Sequence, residues 1–362
     1  MNVDYAARQQ RLVNKLQQHQ SDAIIIYGYE NIVYLTGFTG HAATLLMSSN
    51  GQHRLITDYR YFERASDEAV GVEVILRNRD KETLPDCIFR LLDGPRQLAF
   101  EAHQISHADY VLLNISAKNT TLIAAPLWVE SLRQVKDGYE INCIKRAAEI
   151  ADSALAHTLP LLKVGITERE AAIELEYQMQ KLGSEGLSFD TILLFGARSS
   201  LPHGNPGQTK LNQGDLVLID FGSVISGYRS DMTRSYVLGE PTKQQQSIYD
   251  TVQHAQRAAL ALIKAGVNCI DLNNASHDVL SHSDFSQYAG EGLGHGVGLF
   301  LHEQPFIKPG VDHQLEAGNI ITIEPGIYIP NYGGVRLEED VLVTENGFEC
   351  LTHAPQVFQL TN

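Results

Sequence analysis

Residues 319–329 read NIITIEPGIYI. Ile320, Ile321, Thr322 and Ile323 form the β-branched run of a buried strand, and Pro325-Gly326 stops it. The last residue before the stop is an acid, Glu324. A carboxylate in such a setting is costly unless it is paired or coordinated, so this strand asks for a cation. The same pattern recurs in DLVLIDFG at 215–222, where Asp220 ends an apolar run. It recurs in GYRSDMTRSYVL at 227–238, which returns after the turn at Ser226-Gly227 and carries Asp231, and in GVRLEEDVLV at 334–343, which carries Glu338. An antiparallel pair joined through that turn can bring Asp220 and Asp231 to one point.

A fifth group, His295, lies in GLGHGVG at 292–298, where glycines let backbone approach closely and leave the imidazole unobstructed. This run lacks the lysine of a phosphate-binding loop and leads into no obvious helix. Taken singly, each residue has a bland reading. Asp220 could cap a turn, Asp231 could pair with Arg229 or Arg234, and Glu324 or Glu338 could lie on a strand edge. Together, four carboxylates and one imidazole are the donors that Mn²⁺, Co²⁺ or Zn²⁺ accept, and carboxylates can bridge two ions ~3.5–4 Å apart. The chemistry this implies is metal-assisted hydrolysis.

Outward from these strands, the second half of the chain alternates helices and strands. A long helix opens near Tyr139, with Ile141, Ile144, Ala148, Ala151 and Leu155 at helical spacing. Thr167 with Glu170, and Thr242 with Gln245, are capping boxes that start two more helices, the first running to about Leu182 and the second carrying Ile248, Val252, Ala255, Ala259 and Ile263. Before residue 130, the short apolar runs SDAIIIYG, ATLLMSS, HRLITD, VEVILRN, QLAFEA and TTLIAA predict strands, and HADYVLL a helix. These divisions predict an α/β (α+β) chain with a small domain over 1–130 and a larger one over 131–362.

The 362 residues carry 43% hydrophobic and 20% charged side chains, an ordinary folded composition. The net charge of −15 argues against nucleic-acid and anionic-membrane partners, which demand clustered Lys and Arg. Four cysteines lie far apart with no CxxC pair, which fits reduced thiols and a cytoplasmic protein. The opening MNVDYAARQQRLVNKLQQHQ has no apolar core of a signal peptide, and no stretch approaches ~18 apolar residues.

Six motifs, in order, resemble those of the aminopeptidase P and prolidase group of the methionine-aminopeptidase superfamily, the pita-bread metallopeptidases. They are Leu201-Pro202-His203-Gly204, Ile219-Asp220-Phe221-Gly222, Ser230-Asp231-Met232-Thr233-Arg234, Gly294-His295-Gly296-Val297-Gly298-Leu299 with His302-Glu303, Thr322-Ile323-Glu324-Pro325-Gly326-Ile327-Tyr328, and Gly334-Val335-Arg336-Leu337-Glu338. The resemblance implies a creatinase-like N-terminal α/β domain that dimerises and helps close the site, followed by a pita-bread catalytic domain. It implies two metal ions, with Asp220 on one, Asp231 and Glu338 bridging, and His295 and Glu324 on the other. Glu324 would also shuttle a proton, His203 and His302 would contact the scissile peptide, and Arg336 would lie on the substrate. The substrates implied are short peptides with proline second, and the loop 34–41 (YLTGFTGH) would approach the cleft.

One departure bears on specificity. Phe306 stands where many relatives place an arginine that holds a substrate carboxylate, leaving Lys308 or Arg336 to replace it. Together with the segment 57–62 (TDYRYF), read as strand-like, this favours an Xaa-Pro aminopeptidase over a dipeptide-only prolidase. A methionine aminopeptidase would not normally carry the N-terminal domain, and creatinase-like relatives have lost ligands that are all present here. A non-catalytic binding module on the same fold is the rival of a different class.

Overall fold

The computed structural model describes residues 3–92 and 96–360. The chain divides into two compact units, Met1–Arg133 and Gln134–Asn362. In the first, helix α1 (Tyr5–Gln18) precedes β1 (Ala23–Ile26), α2 (Tyr29–Thr36), β2 (Ala43–Ser48), β3 (His53–Thr57), α3 (Phe62–Glu68) and β4 (Glu73–Leu76). Then come α4 (Leu84–Leu91), β5 (Gln97–Phe100), α5 (His107–Ser116), β6 (Thr121–Ala124) and a short α6 (Glu130–Arg133). The strands form one sheet in the order β4-β3-β2-β1-β5-β6, with β2 antiparallel to its neighbours and the other pairs parallel. Cys87 and Ile88 of α4 and Leu113 of α5 pack on Ile25, Leu46, Ile56, Leu98 and Phe100 of the sheet.

All six predicted strands are present, but two local readings change. Residues 34–36 of the expected loop are the last turn of α2, and the loop begins at Gly37, whose left-handed φ of 78° ends the helix. The segment 57–62 is not a strand. It leaves β3 at Thr57, turns through Asp58 and enters α3 at Phe62, because the Asp58 carboxylate accepts from the backbone N–H and guanidinium of Arg60 and so closes a turn.

The second unit opens with α7 (Gly138–Thr158) and α8 (Glu168–Lys181), followed by β7 (Ile192–Phe195), β8 (Leu216–Phe221), β9 (Val224–Ile225), β10 (Tyr228–Arg229) and β11 (Met232–Leu238). Helices α9 (Lys243–Leu260) and α10 (Cys269–Ser281) precede β12 (Gly294–Gly296), β13 (Glu303–Ile307), β14 (Ile320–Ile323), β15 (Gly326–Ile329), β16 (Gly333–Arg336), β17 (Glu339–Val343), β18 (Phe348–Cys350) and β19 (Gln359–Leu360). Both capping boxes form as read, on α8 and α9. Helix α9 stops at Leu260, short of Ile263, which packs into the same core from beyond the helix end.

Two sheets carry the unit, β19-β11-β8-β7 and β13-β12-β14-β17-β18. Helices α7 and α8 cover the first through Ala151, Leu155, Leu175 and Met179, against Val217, Ile219 and Phe221 of β8. Helices α9 and α10 cover the second through Ala259, Cys269 and Leu272, against Ile321 and Ile323 of β14 and Val341 and Val343 of β17. Each buried aliphatic contributes roughly 1.5–3 kcal/mol, so this face is strongly specified. Side chains alternate along a strand, so Asp220 lies on the opposite face from Ile219 and Phe221, and Thr322 and Asp340 likewise oppose their helix-packed neighbours. The helix-facing hydrophobics thereby set which way the acids point.

Candidate metal centre

Of the four acids and one imidazole singled out, two lie within strands: Asp220 in β8 and His295 in β12. The other three occupy breaks. Asp231 separates β10 from β11, Glu324 separates β14 from β15, and Glu338 separates β16 from β17. In each case the chain leaves one sheet and joins another at the acid. What reads in sequence as three continuous strands is six, and the side chain at each crossing is freed from the pleat to turn inward.

One ligand atom from each of Asp231, His295 and Glu338 lies within 4.8 Å of the others, all three residues buried. The Glu324 Oε1 atom is 3.4 Å from His295 Nε2, and Asp231 Oδ2 is 3.7 Å from the same nitrogen. His295 Nδ1 donates to the Gly296 carbonyl at 3.0 Å, which commits Nε2 to the cluster. Asp220 joins through Arg336, whose Nη2 donates to Oδ2 at 2.5 Å while Nε donates to the Thr233 hydroxyl. That hydroxyl donates to Glu338 Oε2 at 2.7 Å. The ion pair read for Asp231 does not form: Arg234 reaches Glu339 instead, at 2.9 Å, and Arg229 bonds the carbonyls of Ser188 and Leu299.

All five residues, with His203, His302 and Arg336, line one cavity of about 1410 Å³. His203 and His302 are exposed at its rim, and the His302 ring meets His295 edge-on, centroids 4.4 Å apart.

The electrostatics are those of crowded acids. Burial, then the charges of neighbouring carboxylates, pushes Asp231 and Glu338 well above the carboxylate range. Burial raises Asp220 also, though Arg336 opposes it. Burial would raise Glu324 too, but its hydrogen bond and charge interaction with His295 outweigh this and hold it low. Burial alone would lower His295; the Glu324 partner reverses the sign. Crowded negative charge of this kind is what a divalent cation offsets. One oxygen, Asp220 Oδ1, is buried without any hydrogen-bond partner. An orphaned carboxylate oxygen beside three acids and an imidazole nitrogen fits a divalent metal.

Two groups escaped the sequence reading. Asp340 accepts the Asp231 N–H at 2.8 Å, keeps Oδ1 unpartnered and is pushed by burial up to about 8. The signal was the acid triplet Glu338-Glu339-Asp340, in which alternation places Asp340 on the site face. Thr233, linking Arg336 to Glu338, left no signal beyond its place opposite Asp220 in the β8–β11 register.

A carboxylate and imidazole site between two helix-backed sheets defines a metal-dependent hydrolase class. The chain matches the model of metallopeptidase family M24 over residues 142–345 and that of the creatinase/prolidase N-terminal domain over 8–135, and it belongs to family M24. It is 37% identical over 348 residues to the uncharacterized peptidase YqhT of Bacillus subtilis (strain 168), covering 96% of this chain and 98% of that one. Among solved structures, it resembles an Xaa-Pro dipeptidase from Bacillus anthracis at 34% identity, with a TM-score of 0.93 over 99% of this chain and 100% of that one. It equally resembles an X-Pro aminopeptidase from Thermotoga maritima MSB8 at 35% identity, with a TM-score of 0.89 over 97% and 99% of the two chains. The fold is thus the expected creatinase-type domain followed by a pita-bread domain, and the protein is a metallopeptidase.

Proposed function

We propose that this protein hydrolyses the Xaa-Pro bond at the N-terminus of short peptides, acting as an Xaa-Pro aminopeptidase that also accepts dipeptides. The observation that carries the reading is the convergence of Asp220, Asp231, His295, Glu324 and Glu338 in one cavity with an orphaned carboxylate oxygen. The two structural neighbours named above support the prolyl preference. The exposed cavity rim at Pro202, His203 and Asn205 supports room for residues beyond the proline.

Asp220 would hold one divalent ion, Asp231 and Glu338 would bridge, and His295 with Glu324 would hold the second; Mn²⁺ suits this oxygen-rich set, as do Co²⁺ and Zn²⁺. When bound, the pair supplies a nucleophile at neutral pH and polarises the scissile carbonyl. Glu324, the most exposed acid of the set and the one whose surroundings favour the ionised form, takes a proton at its carboxylate and returns it to the leaving nitrogen. His203 and His302 at the rim donate hydrogen bonds to the developing oxyanion or the departing imide. Arg336 contributes by holding Asp220 and, through Tyr328, the wall against which substrate lies. Proline lacks the N–H on which ordinary peptidases rely, so a dedicated cavity is required.

We also assign a cytoplasmic location and a homodimer formed through the N-terminal unit, here taken as residues 1–130 before a catalytic domain of 131–362. Free cysteines support the first: Cys87, Cys143 and Cys269 are buried and unbridged. No helix among the described residues is long and apolar enough to cross a membrane. Light scattering at micromolar concentration tests the dimer. The activity is tested by incubating Mn²⁺-loaded protein with Ala-Pro and Ala-Pro-Gly-Gly, with Glu324→Gln as control. Cleavage of both supports the aminopeptidase, cleavage of the dipeptide alone a prolidase, and cleavage of neither with metal bound leaves a binding module.

A further inference from the structure

His203 lies on the segment that leaves β7 at Phe195 and returns to α8 at Gly207, and one buried carboxylate holds both ends of it. Glu168, the first residue of α8, is wholly inaccessible; its Oε1 accepts the Phe195 N–H at 3.0 Å and its Oε2 accepts the Gly207 N–H at 2.8 Å. Arg198 Nε donates to both oxygens at 3.0 Å, and Nη2 reaches on to the Asn205 carbonyl at 2.7 Å. The Gly207 carbonyl accepts from the Arg169 N–H at 3.0 Å, so a free donor in the first turn of α8 is satisfied on the same segment. The interior is pinned as well. Ser199, fully buried, donates to the Gly196 carbonyl and accepts the Gly334 N–H of β16. Gly204 sits against β7, where an added Cβ would fall 2.7 Å from Leu194 Cδ1. The Pro202 carbonyl lies 3.5 Å from Arg336 Nη1, and the same guanidinium holds Asp220 at 2.5 Å. His203, between Pro202 and Gly204, is exposed and lines the cavity with the acids.

We propose that Glu168, with Arg198, is a positioning residue for His203: it keeps the 196–206 segment on the path that presents the imidazole to the reacting peptide. This rests on the peptidase reading above and deepens it, since there His203 donates to developing charge. A buried carboxylate needs its lone pairs filled, and the donors that fill those of Glu168 all come from one segment, Phe195 to Gly207. A buried ion pair adds little net stability over a well-packed apolar pair. What this one secures is therefore the course of the chain around His203. Glu168 itself, wholly inaccessible, touches no substrate. Its effect reaches the reaction through geometry, where a displacement of about 1 Å can cost on the order of 100-fold in rate.

The test pairs kinetics with a spectroscopic readout of His203. Glu168→Gln cannot accept at both ends of the segment, and Arg198→Gln, at a side chain 38% exposed, loosens the same clamp with less risk to folding. Each is made in the wild-type and His203→Ala backgrounds and assayed, Mn²⁺-loaded, on Ala-Pro and Ala-Pro-Gly-Gly. In parallel, the His203 ring signal is followed by NMR in Zn²⁺-loaded, ¹³C-histidine-labelled protein and assigned with His203→Ala. Both variants are expected to lower kcat by about 10- to 100-fold and to shift or broaden the His203 signal. In the His203→Ala background the same replacements should change kcat by less than about twofold. Losses that multiply with that of His203→Ala, or an unmoved His203 signal, overturn the positioning role and leave the peptidase reading intact. If wild-type protein cleaves neither peptide, the peptidase reading fails, and the His203 signal alone decides the clamp: displaced in both variants it stands, unmoved it falls.

Discussion

Arg336 and Asp220 form a buried ion pair, Nη2 to Oδ2 at 2.5 Å, and the same guanidinium reaches Glu338 through the Thr233 hydroxyl. One cation thus orients two of the proposed ligands, Asp220 of β8 and Glu338 at the break between β16 and β17. A planar fork with several fixed donors does this; a single ammonium cannot. Arg336→Met is expected to cost about 3–5 kcal/mol, because it strands a buried carboxylate. Arg336→Lys should lower metal affinity by roughly 10–100-fold, as losses behind a metal ligand do. Thermal melting and calorimetric metal titration check the two.

Glu324 is the acid whose ionised form the surroundings favour, and it is less buried than its neighbours. Glu324→Gln keeps the volume and removes the proposed proton acceptor. Its kcat is expected to fall by about 10²–10⁴-fold, the usual reach of general acid–base catalysis, with the far-ultraviolet circular dichroism unchanged. A loss in KM alone would place Glu324 outside the proton transfer.

Metal removal should make stability pH-dependent in a defined direction. Asp220, Asp231 and Glu338 are raised above the ordinary carboxylate range, and Asp340 is raised to about 8, chiefly by burial. For a raised acid the folded state binds protons that the unfolded chain has released, so its stabilisation is present below the unfolded pKa and lost as pH rises through the folded one. The chelated protein is therefore expected to lose melting temperature steadily from about pH 4, the ordinary carboxylate value, towards pH 8. Saturating Mn²⁺ should flatten that slope. A chelated protein that gains stability over this window would contradict the proposed crowding.

Lys136 is another buried cation, its side chain wholly inaccessible and its Nζ 3.0 Å from Glu303 Oε1. Glu303 follows His302 and faces Gly298, where an added Cβ would fall 2.3 Å from the same oxygen. Lys136→Met is expected to destabilise the protein by about 3–5 kcal/mol, and adding Glu303→Gln should recover part of it. A double-mutant cycle by urea unfolding measures the coupling.

Much of this architecture was readable in the chain because its signals are local. Short apolar runs mark the six strands of the first unit, and the capping boxes at Thr167 and Thr242 mark where α8 and α9 begin. Ligand candidates stood out because Asp220 and Glu324 interrupt or end apolar runs, where an acid is costly. Two local readings failed at turn chemistry. The loop after α2 and the Asp58–Arg60 turn are decided by one left-handed glycine and one side-chain-to-backbone bond, which a propensity pattern does not register.

Which side chains are available, and which face of a strand is apolar, follow from residue identity and a period of two. Long-range packing sets where β10–β11, β14–β15 and β16–β17 break and change sheets, at Asp231, Glu324 and Glu338. It likewise decided that Arg234 goes to Glu339 and Arg336 to Asp220, and that the Lys308 ammonium lies over the Phe306 ring. The physical reason is that pairing of charges depends on distance across elements far apart in the chain. Arg336 and Asp220 lie 116 residues apart in sequence and 2.5 Å apart in space.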